Sequence, residues 1–302
     1  MSDNHSHHHH ELSGRNLLIS IILNIFITIA QIIGGILSGS LALVSDAVHN
    51  LSDVISLVIS YVANRLTNKK EQTLKQTFGY KRAEIIAAFI NAATLIVIAF
   101  FLAIEAIKRF NNTQTIDSNL VIWLASFGIL FNGFSVLLLK KDASHNMNMK
   151  SAYLHLLTDM LTSVAVLIGG LLMKYFQFYW VDAVLTILIS IYLLKMSWSI
   201  FVDSLKILML FVPDHIKIND IVIELSKDKT IRNIHHIHIW QLNEHDCHFE
   251  AHIEFKSDIP ISKFDSICKN LEKILLDKFQ INHCTFQPEY DRKESKEIII
   301  QD

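Results

Sequence analysis

His49 and Asp53 stand four residues apart, and so do His155 and Asp159. Side chains at i and i+4 share one face of a helix, so each pair aims an imidazole and a carboxylate into the same space. Together they make an N₂O₂ set of borderline hardness that suits Zn²⁺ best and admits Cd²⁺, Co²⁺ or Fe²⁺. Thiolate-seeking Cu(I) and oxygen-seeking Mg²⁺ or Ca²⁺ fit poorly. The two carboxylates offset the charge of a divalent ion, which lets it sit where the dielectric is low. Metal and protons compete for these groups, so a site exposed alternately to two compartments exchanges a metal ion for one or more protons. A plainer reading, packing residues hydrogen-bonded between helices, accounts for one such pair but not for two at matching depth.

The surroundings of these pairs are apolar. Mean hydropathy is +0.34, and only 19% of the 302 residues are charged. Lys, Arg, Asp and Glu make up 27 of the first 210 residues but 29 of the last 92, so an apolar body carries a polar tail about the size of one small domain. A net charge of −2 gives no electrostatic case for a nucleic-acid partner. Cys247, Cys268 and Cys284 form no CxxC pair and suggest a reducing compartment. A soluble enzyme with one ordinary core does not fit. A metal-dependent membrane hydrolase would need an open coordination position and a general base, and the HExxH motif is missing. The chain is therefore expected not to be an enzyme.

A spanning helix needs about 20 mostly apolar residues. Six stretches meet or approach this: Leu17–Leu37, Leu41–Leu66, Ala83–Ile107, Leu120–Leu139, Met149–Met173 and Val184–Val202. Arg15, Arg65, Lys69, Lys70, Lys75, Lys81, Arg82, Lys140, Lys141 and Lys150 fall on one side of such a bundle, against Lys108, Arg109 and Lys174 on the other. The positive-inside rule then puts both termini in the cytoplasm. Ser45, Asp46, His49, Asn50, Ser52, Asp53 and Ser56 interrupt the second stretch, and His155, Thr158, Asp159, Thr162 and Ser163 the fifth. Charges at mid-bilayer cost at least ~2.5 kcal/mol, so they face a cavity or a partner. With opposite chain directions, the first pair lies about 12 to 18 Å from the outer end and the second about 10 to 17 Å from the inner end. In a core about 30 Å thick both reach the midplane and can form one site. Asp46 and Asn50 lie near the same face and read as orienting or gating groups rather than ligands. Glu105 reads as a snorkelling residue or a partner of Lys108 or Arg109.

The tail after Pro213 predicts a helix (Ile218–Ser226), two strands (Ile231–Leu242 and Cys247–Lys256), a helix (Ser262–Phe279) and a last strand (His283–Glu289), an αββαβ order. Phe249, Ala251, Ile253 and Phe255 alternate with His248, Glu250, His252 and Glu254, one face for a core and one polar. The first strand puts His236, His238 and Trp240 opposite Ile237 and Ile239, and strict alternation leaves His235 on the apolar side unless the strand begins later. Five of the sixteen histidines fall between His5 and His10. Such a flexible tract can gather Zn²⁺ or Co²⁺ weakly, or be passive, and is expected to be dispensable for transport.

Several runs in this order resemble the cation diffusion facilitator family: Gly34-Gly35; Ser38-Gly39-Ser40-Leu41-Ala42-Leu43; Ser45-Asp46-Ala47-Val48-His49-Asn50-Leu51-Ser52-Asp53; and Phe78-Gly79-Tyr80-Lys81-Arg82-Ala83-Glu84. His155–Asp159 resembles the family's second metal pair, and Asp203-Ser204-Leu205-Lys206 through Pro213 its exit from the last span. The resemblance covers about Arg15 to Glu289. It implies a homodimeric, proton-coupled exporter of the zinc-preferring branch in the inner or plasma membrane, with a ferredoxin-like or metallochaperone-like cytoplasmic domain. Divalent ions and protons would be its partners, and Zn²⁺ both substrate and regulatory ligand. It also implies a cytoplasmic metal site at His235, His252, His283 and Glu289, His236 replacing an acidic residue common there. Two departures stand out: Gln31 where many relatives carry an acidic residue, and a loop Arg65–Arg82 free of His and Asp, so that a further metal site there is not expected. The expected organisation is a His-rich tail (1–14), a six-helix membrane domain (15–210) and a metal-sensing, dimerising αββαβ domain (211–302).

Overall fold

The computed structural model describes residues 8–68, 77–140, 147–243, 245–293 and 295–299. Six long helices come first: α1 (His8–Ser38), α2 (Leu41–Asn68), α3 (Ala83–Asn111), α4 (Ser118–Leu139), α5 (Met147–Phe176) and α6 (Trp180–Leu208). Then follow α7 (Ile218–Leu225), β1 (Ile231–Gln241), β2 (Cys247–Phe255), α8 (Ile261–Phe279) and β3 (His283–Glu289), the αββαβ order expected. Among the described residues, five helices (α1 and α3 to α6) are long and apolar enough to cross a membrane. α2 is not among those five. α1 begins at His8, inside the stretch expected to be a flexible tail, and α6 begins at Trp180, ahead of the expected Val184. His5 and His7 lie outside the described residues.

The chain divides into two compact units. The first (Met1–Tyr61 and Ile90–Phe201) is polar within and apolar without. Gln31, Asp46, His49, Asn50, Asp159, Ser163 and Asp182 are buried, while Ile29, Ile33, Phe100, Phe101, Trp123, Leu130, Leu137 and Ile168 are exposed. That distribution inverts a water-soluble core and matches a hydrocarbon surround, in which polar groups must find their partners inside. α4 packs along α5 and α1, and close approach depends on small residues. A Cβ on Gly128 of α4 would come within 2.7 Å of Ser163 Oγ and 3.1 Å of Gln31 Nε2.

The start of α2 is held from several directions. Ser40 caps it locally, accepting the Leu43 N–H at 3.2 Å. Asp182, buried in the first turn of α6, accepts the Leu41 N–H at 2.9 Å and the Ala42 N–H at 3.4 Å, and also the Ser40 hydroxyl. On α3, Arg109 donates to the Gly39 carbonyl at 2.7 Å and is itself paired with Glu105 at 3.2 Å. Gly39 has φ of +76°, a left-handed turn that glycine adopts without a Cβ clash. Glu105 is thus part of the clamp on the α1–α2 turn through Arg109, rather than a free snorkelling residue.

The second unit (Val62–Phe89 and Val202–Asp302) contains a sheet in the order β1-β2-β3, with β1–β2 antiparallel and β2–β3 parallel through α8. Its apolar face joins Ile234, Ile239, Phe249, Ala251, Ile253 and Phe255 to Ile221 and Leu225 of α7 and Ile267, Leu271 and Leu275 of α8. The alternation read in β2 holds throughout. In β1 it breaks: His235 pairs with His252 and His238 with Glu250, so β1 carries one residue more than β2 between these pairs. The extra residue is a β-bulge, and His236 within it has φ of +51°. Ile234 and Ile239 can both face the core because of it, and His235 turns to the polar face beside His252, which strict alternation did not allow. In the same unit Lys81, between α2 and α3, pairs with Asp246 at 2.9 Å.

Two outcomes test this packing. Replacing Asp182 with Ala should destabilise the purified protein by about 1–2 kcal/mol, the usual loss for a helix cap, seen as a lower unfolding midpoint in detergent, with Asp182→Asn in between. Gly128→Val should lower the midpoint clearly more than Gly133→Ala, because a Cβ at Gly133 meets only the Met160 sulfur at 3.5 Å.

Candidate metal centre

The four expected ligands come together between α2 and α5. Asp53 Oδ2 lies 3.2 Å from His155 Nε2, and His155 Nε2 lies 3.5 Å from Asp159 Oδ2. His49 closes the ring, with Nε2 3.7 Å from Asp159 Oδ1 and Nδ1 3.6 Å from Asp53 Oδ2. Each carboxylate therefore has both imidazoles as neighbours, His49 meeting Asp53 with Nδ1 and Asp159 with Nε2. Ligand atoms of His49, Asp53 and His155, one from each, lie within 4.8 Å of one another, against roughly 3.3 Å between ligand atoms about 2.0–2.1 Å from a tetrahedral Zn²⁺, and Asp159 borders this trio through both imidazoles. His49 Nε2, Asp53 Oδ2 and both Asp159 carboxylate oxygens are buried without a hydrogen-bond partner. Buried polar atoms are ordinarily satisfied, so four unsatisfied atoms facing one small space are what a cation-binding set looks like when only protein atoms are counted.

The helices dictate this arrangement. One turn of α2 stacks His49 over Asp53, one turn of α5 does the same for His155 and Asp159, and their opposite directions bring unlike groups face to face. The two ends of the set differ in exposure: Asp53 and His155 side chains are 21% and 30% exposed, His49 and Asp159 only 3% and 0%. Tyr192 of α6 meets the His49 ring edge-on at 5.8 Å and closes one flank.

Asp46 and Asn50, read from the sequence as orienting or gating groups, hydrogen-bond to side chains outside the His–Asp set. Asp46 accepts from Gln31 Nε2 at 3.0 Å and from Thr162 Oγ1 at 2.8 Å, and Asn50 donates to Gln31 Oε1 at 3.2 Å. Thr162 also donates to the carbonyl of Asp159 at 2.9 Å. This chain links α1, α2 and α5 beside the ion-sized space. Gln31 donates with one end and accepts with the other; an acidic residue there would set a second carboxylate against Asp46. The part played by Asp182 was not visible in the sequence, where it reads as an ordinary acidic residue in a first helical turn. Its partners lie more than a hundred residues away in the chain.

A second cluster lies on the polar face of the C-terminal sheet, where His235, His252 and Glu289 bring their ligand atoms within 4.8 Å of one another. His235 Nε2 stands 3.2 Å from Glu289 Oε2, and His252 Nδ1 stands 2.8 Å from Glu289 Oε1. Neither nitrogen makes a hydrogen bond, and both are buried. Burial, and then the nearby Lys296 charge, hold His235 below the usual imidazole range, so it presents a lone pair. Burial alone would raise Glu289, but Lys296 and the two histidines outweigh it and keep the carboxylate ionised. His283 does not belong to this group, which corrects the set that the resemblance implied. β3 pairs it with His248, four residues before His252, roughly 13 Å along the strand. Its ring lies tilted against that of His248 instead, with centroids 4.3 Å apart. His236 lies over His252 with ring centroids 4.4 Å apart. The cysteines are free, and burial pushes Cys247 and Cys268 up to about 11 and Cys284 to about 12, leaving them as protonated thiols.

Comparison with known proteins identifies the family. The family description "Cation efflux transmembrane domain" matches residues 17–209, and "Cation efflux protein, cytoplasmic domain" matches residues 213–291. The chain is 35% identical, over 97% of its length and 95% of the relative's, to a protein of Bacillus subtilis named cadmium, cobalt and zinc/H(+)-K(+) antiporter. It is likewise 35% identical to the zinc transporter ZitB of Pectobacterium atrosepticum, over 97% of this chain and 90% of that one. Identity to the metal cation efflux system protein CzcD of Cupriavidus metallidurans is 32%, over 95% and 90% of the two chains. With both family domains matched in order and the ion-sized set standing between α2 and α5, the chain belongs to the cation efflux family.

Proposed function

We propose that this protein exports divalent metal ions, Zn²⁺ foremost, from the cytoplasm in exchange for protons, with His49, Asp53, His155 and Asp159 as the transport site. The observation that carries the reading is the close His–Asp set between α2 and α5, with each carboxylate beside both imidazoles and with its unsatisfied buried atoms. Two imidazoles and two carboxylates fit a borderline divalent cation and release it when protonated. A set that binds both but not together couples their movements in opposite directions. The relatives named for cadmium, cobalt and zinc point to the same cargo class, and a closed four-ligand set leaves no position for an activated water, which disfavours hydrolysis.

In this reading α2 crosses the membrane with the five other long helices, and Lys and Arg counts put both termini in the cytoplasm. Asp53 follows His49 toward the Arg65 end of α2, and His155 precedes Asp159 from the Met147 end of α5, so the more exposed half of the site faces the basic, cytoplasmic end. That is the orientation for loading. Release requires the bundle to open on the side of His49 and Asp159, a population shift between two packings of the same helices. The protein works as a homodimer in the plasma membrane, and the His235–His252–Glu289 cluster takes the transported metal as a regulatory ligand. The N-terminal histidine tract concentrates metal without being required for transport.

Vesicles containing a zinc-sensitive dye and the reconstituted protein should show zinc movement that follows an imposed pH gradient. Asp159→Ala should lower that flux by more than about 100-fold, since loss of a direct ligand exceeds the 10–100-fold typical of groups that only orient ligands. Zinc binding with no gradient-driven flux in the intact protein would instead make it a membrane-bound zinc sensor. Thr162→Val, which cuts the link between Asp46 and the Asp159 backbone, should weaken zinc binding by about 10-fold at the lower end of that range, measured by titration calorimetry in detergent.

A further inference from the structure

The family match ends at residue 291, but the chain continues along the edge of the sheet. β1 is an outer strand, and its bulge turns two backbone N–H groups outward. His236 N–H donates to the Glu297 carbonyl at 3.2 Å and Ile237 N–H to the Ile298 carbonyl at 2.8 Å, while Asn233 Nδ2 reaches the Lys296 carbonyl at 3.5 Å. These bonds fix residues 296–298 beside the metal-type cluster and deliver one side chain into it. Lys296 Nζ lies 3.0 Å from Glu289 Oε2 and 3.7 Å from Glu254 Oε2. Glu289 Oε2 is also the oxygen that faces His235, at 3.2 Å. The side chain of Glu289 is 0% exposed and that of Lys296 31%. The other carboxylate oxygen meets His252, with Gln287 at 3.4 Å and the exposed Arg292 guanidinium at 3.6 Å.

A divalent ion held by His235, His252 and Glu289 would share Glu289 Oε2 with an ammonium about one hydrogen bond away. Two cations cannot both keep that oxygen in a half-buried setting without strong repulsion. We propose that the C-terminal strap, residues 295–299, is a tethered competitor for the cytoplasmic metal cluster: Lys296 supplies the cation while metal is scarce, and metal binding expels Lys296 and frees the strap from the edge of β1. This rests on the reading of that cluster as a regulatory metal site and makes the C-terminal segment its threshold-setting and output element. Metal and strap are then coupled reciprocally: whatever weakens the strap tightens the metal, and metal loosens the strap by the same factor.

The test uses the full chain carrying Asp159→Ala, to silence the transmembrane set, and takes as signal the zinc binding that disappears on adding His252→Ala. Coupling between linked sites spans roughly 5- to 150-fold, and a partly exposed lysine belongs near the lower limit. Lys296→Gln should therefore tighten His252-dependent zinc binding about 5- to 10-fold, with Lys296→Arg staying near the parent value. In the parent, zinc saturation should speed hydrogen exchange at the His236 and Ile237 amides. Equal zinc affinities for the Lys and Gln proteins, or amide exchange unmoved by zinc, would overturn the strap while leaving the metal cluster standing. Absence of His252-dependent binding in both would remove the cluster and the strap together. Export by the transmembrane set is judged separately, by flux in the intact protein.

Discussion

Two carboxylates in a hydrocarbon-thick helical bundle have to be neutralised, and everything near them is arranged around that requirement. Each would cost several kcal/mol if left ionised and alone in such surroundings. A divalent ion neutralises both at once, and so do protons. At the proposed transport site, electroneutrality would be kept by exchanging one kind of cation for another. Each carboxylate has a nitrogen of both imidazoles within 3.2 to 3.7 Å. The same groups that fit the metal can thus share protons when the metal is gone.

Positioning is the harder part, because a shift of α2 by one residue would move His49 and Asp53 off the common face. The clamp at its first turn prevents this. Asp182 and Arg109, from two other helices, hold the backbone of the Gly39–Ala42 segment, and the Gln31–Asp46–Thr162 chain ties α2 to α1 and α5 about a turn from the ligands. These polar contacts are strong in a nonpolar surround. Small residues such as Gly128 allow the close helix approach on which the contacts depend.

The C-terminal domain solves a related problem by different means. Its buried Glu289 also meets two imidazoles, but there a lysine from a peripheral strap supplies the compensating charge. A β-bulge makes this possible by putting His235 beside His252 and turning two N–H groups toward the strap. In the proposed transport site charge compensation would come from the cargo; in the sheet, a lysine of the chain supplies it.

Much of this was legible in residue order. The paired HxxxD spacing, the lengths of the apolar stretches and the strict alternation of β2 all follow from local periodicity, which depends only on residues a few positions apart. The strand and helix limits of the C-terminal domain accordingly fall within a residue of those expected. What local periodicity cannot express is a partner far along the chain or an extra residue in one strand. Asp182 gains its meaning only when α6 comes to lie against the start of α2. His235 joins the cluster only because a bulge reverses the phase of β1, and His283 leaves it because the register of β3 sets it against His248. Residue types and spacing determined which chemistry was available. Tertiary packing decided which of those groups meet, because separation in space, unlike spacing along a helix or strand, is set by contacts between elements.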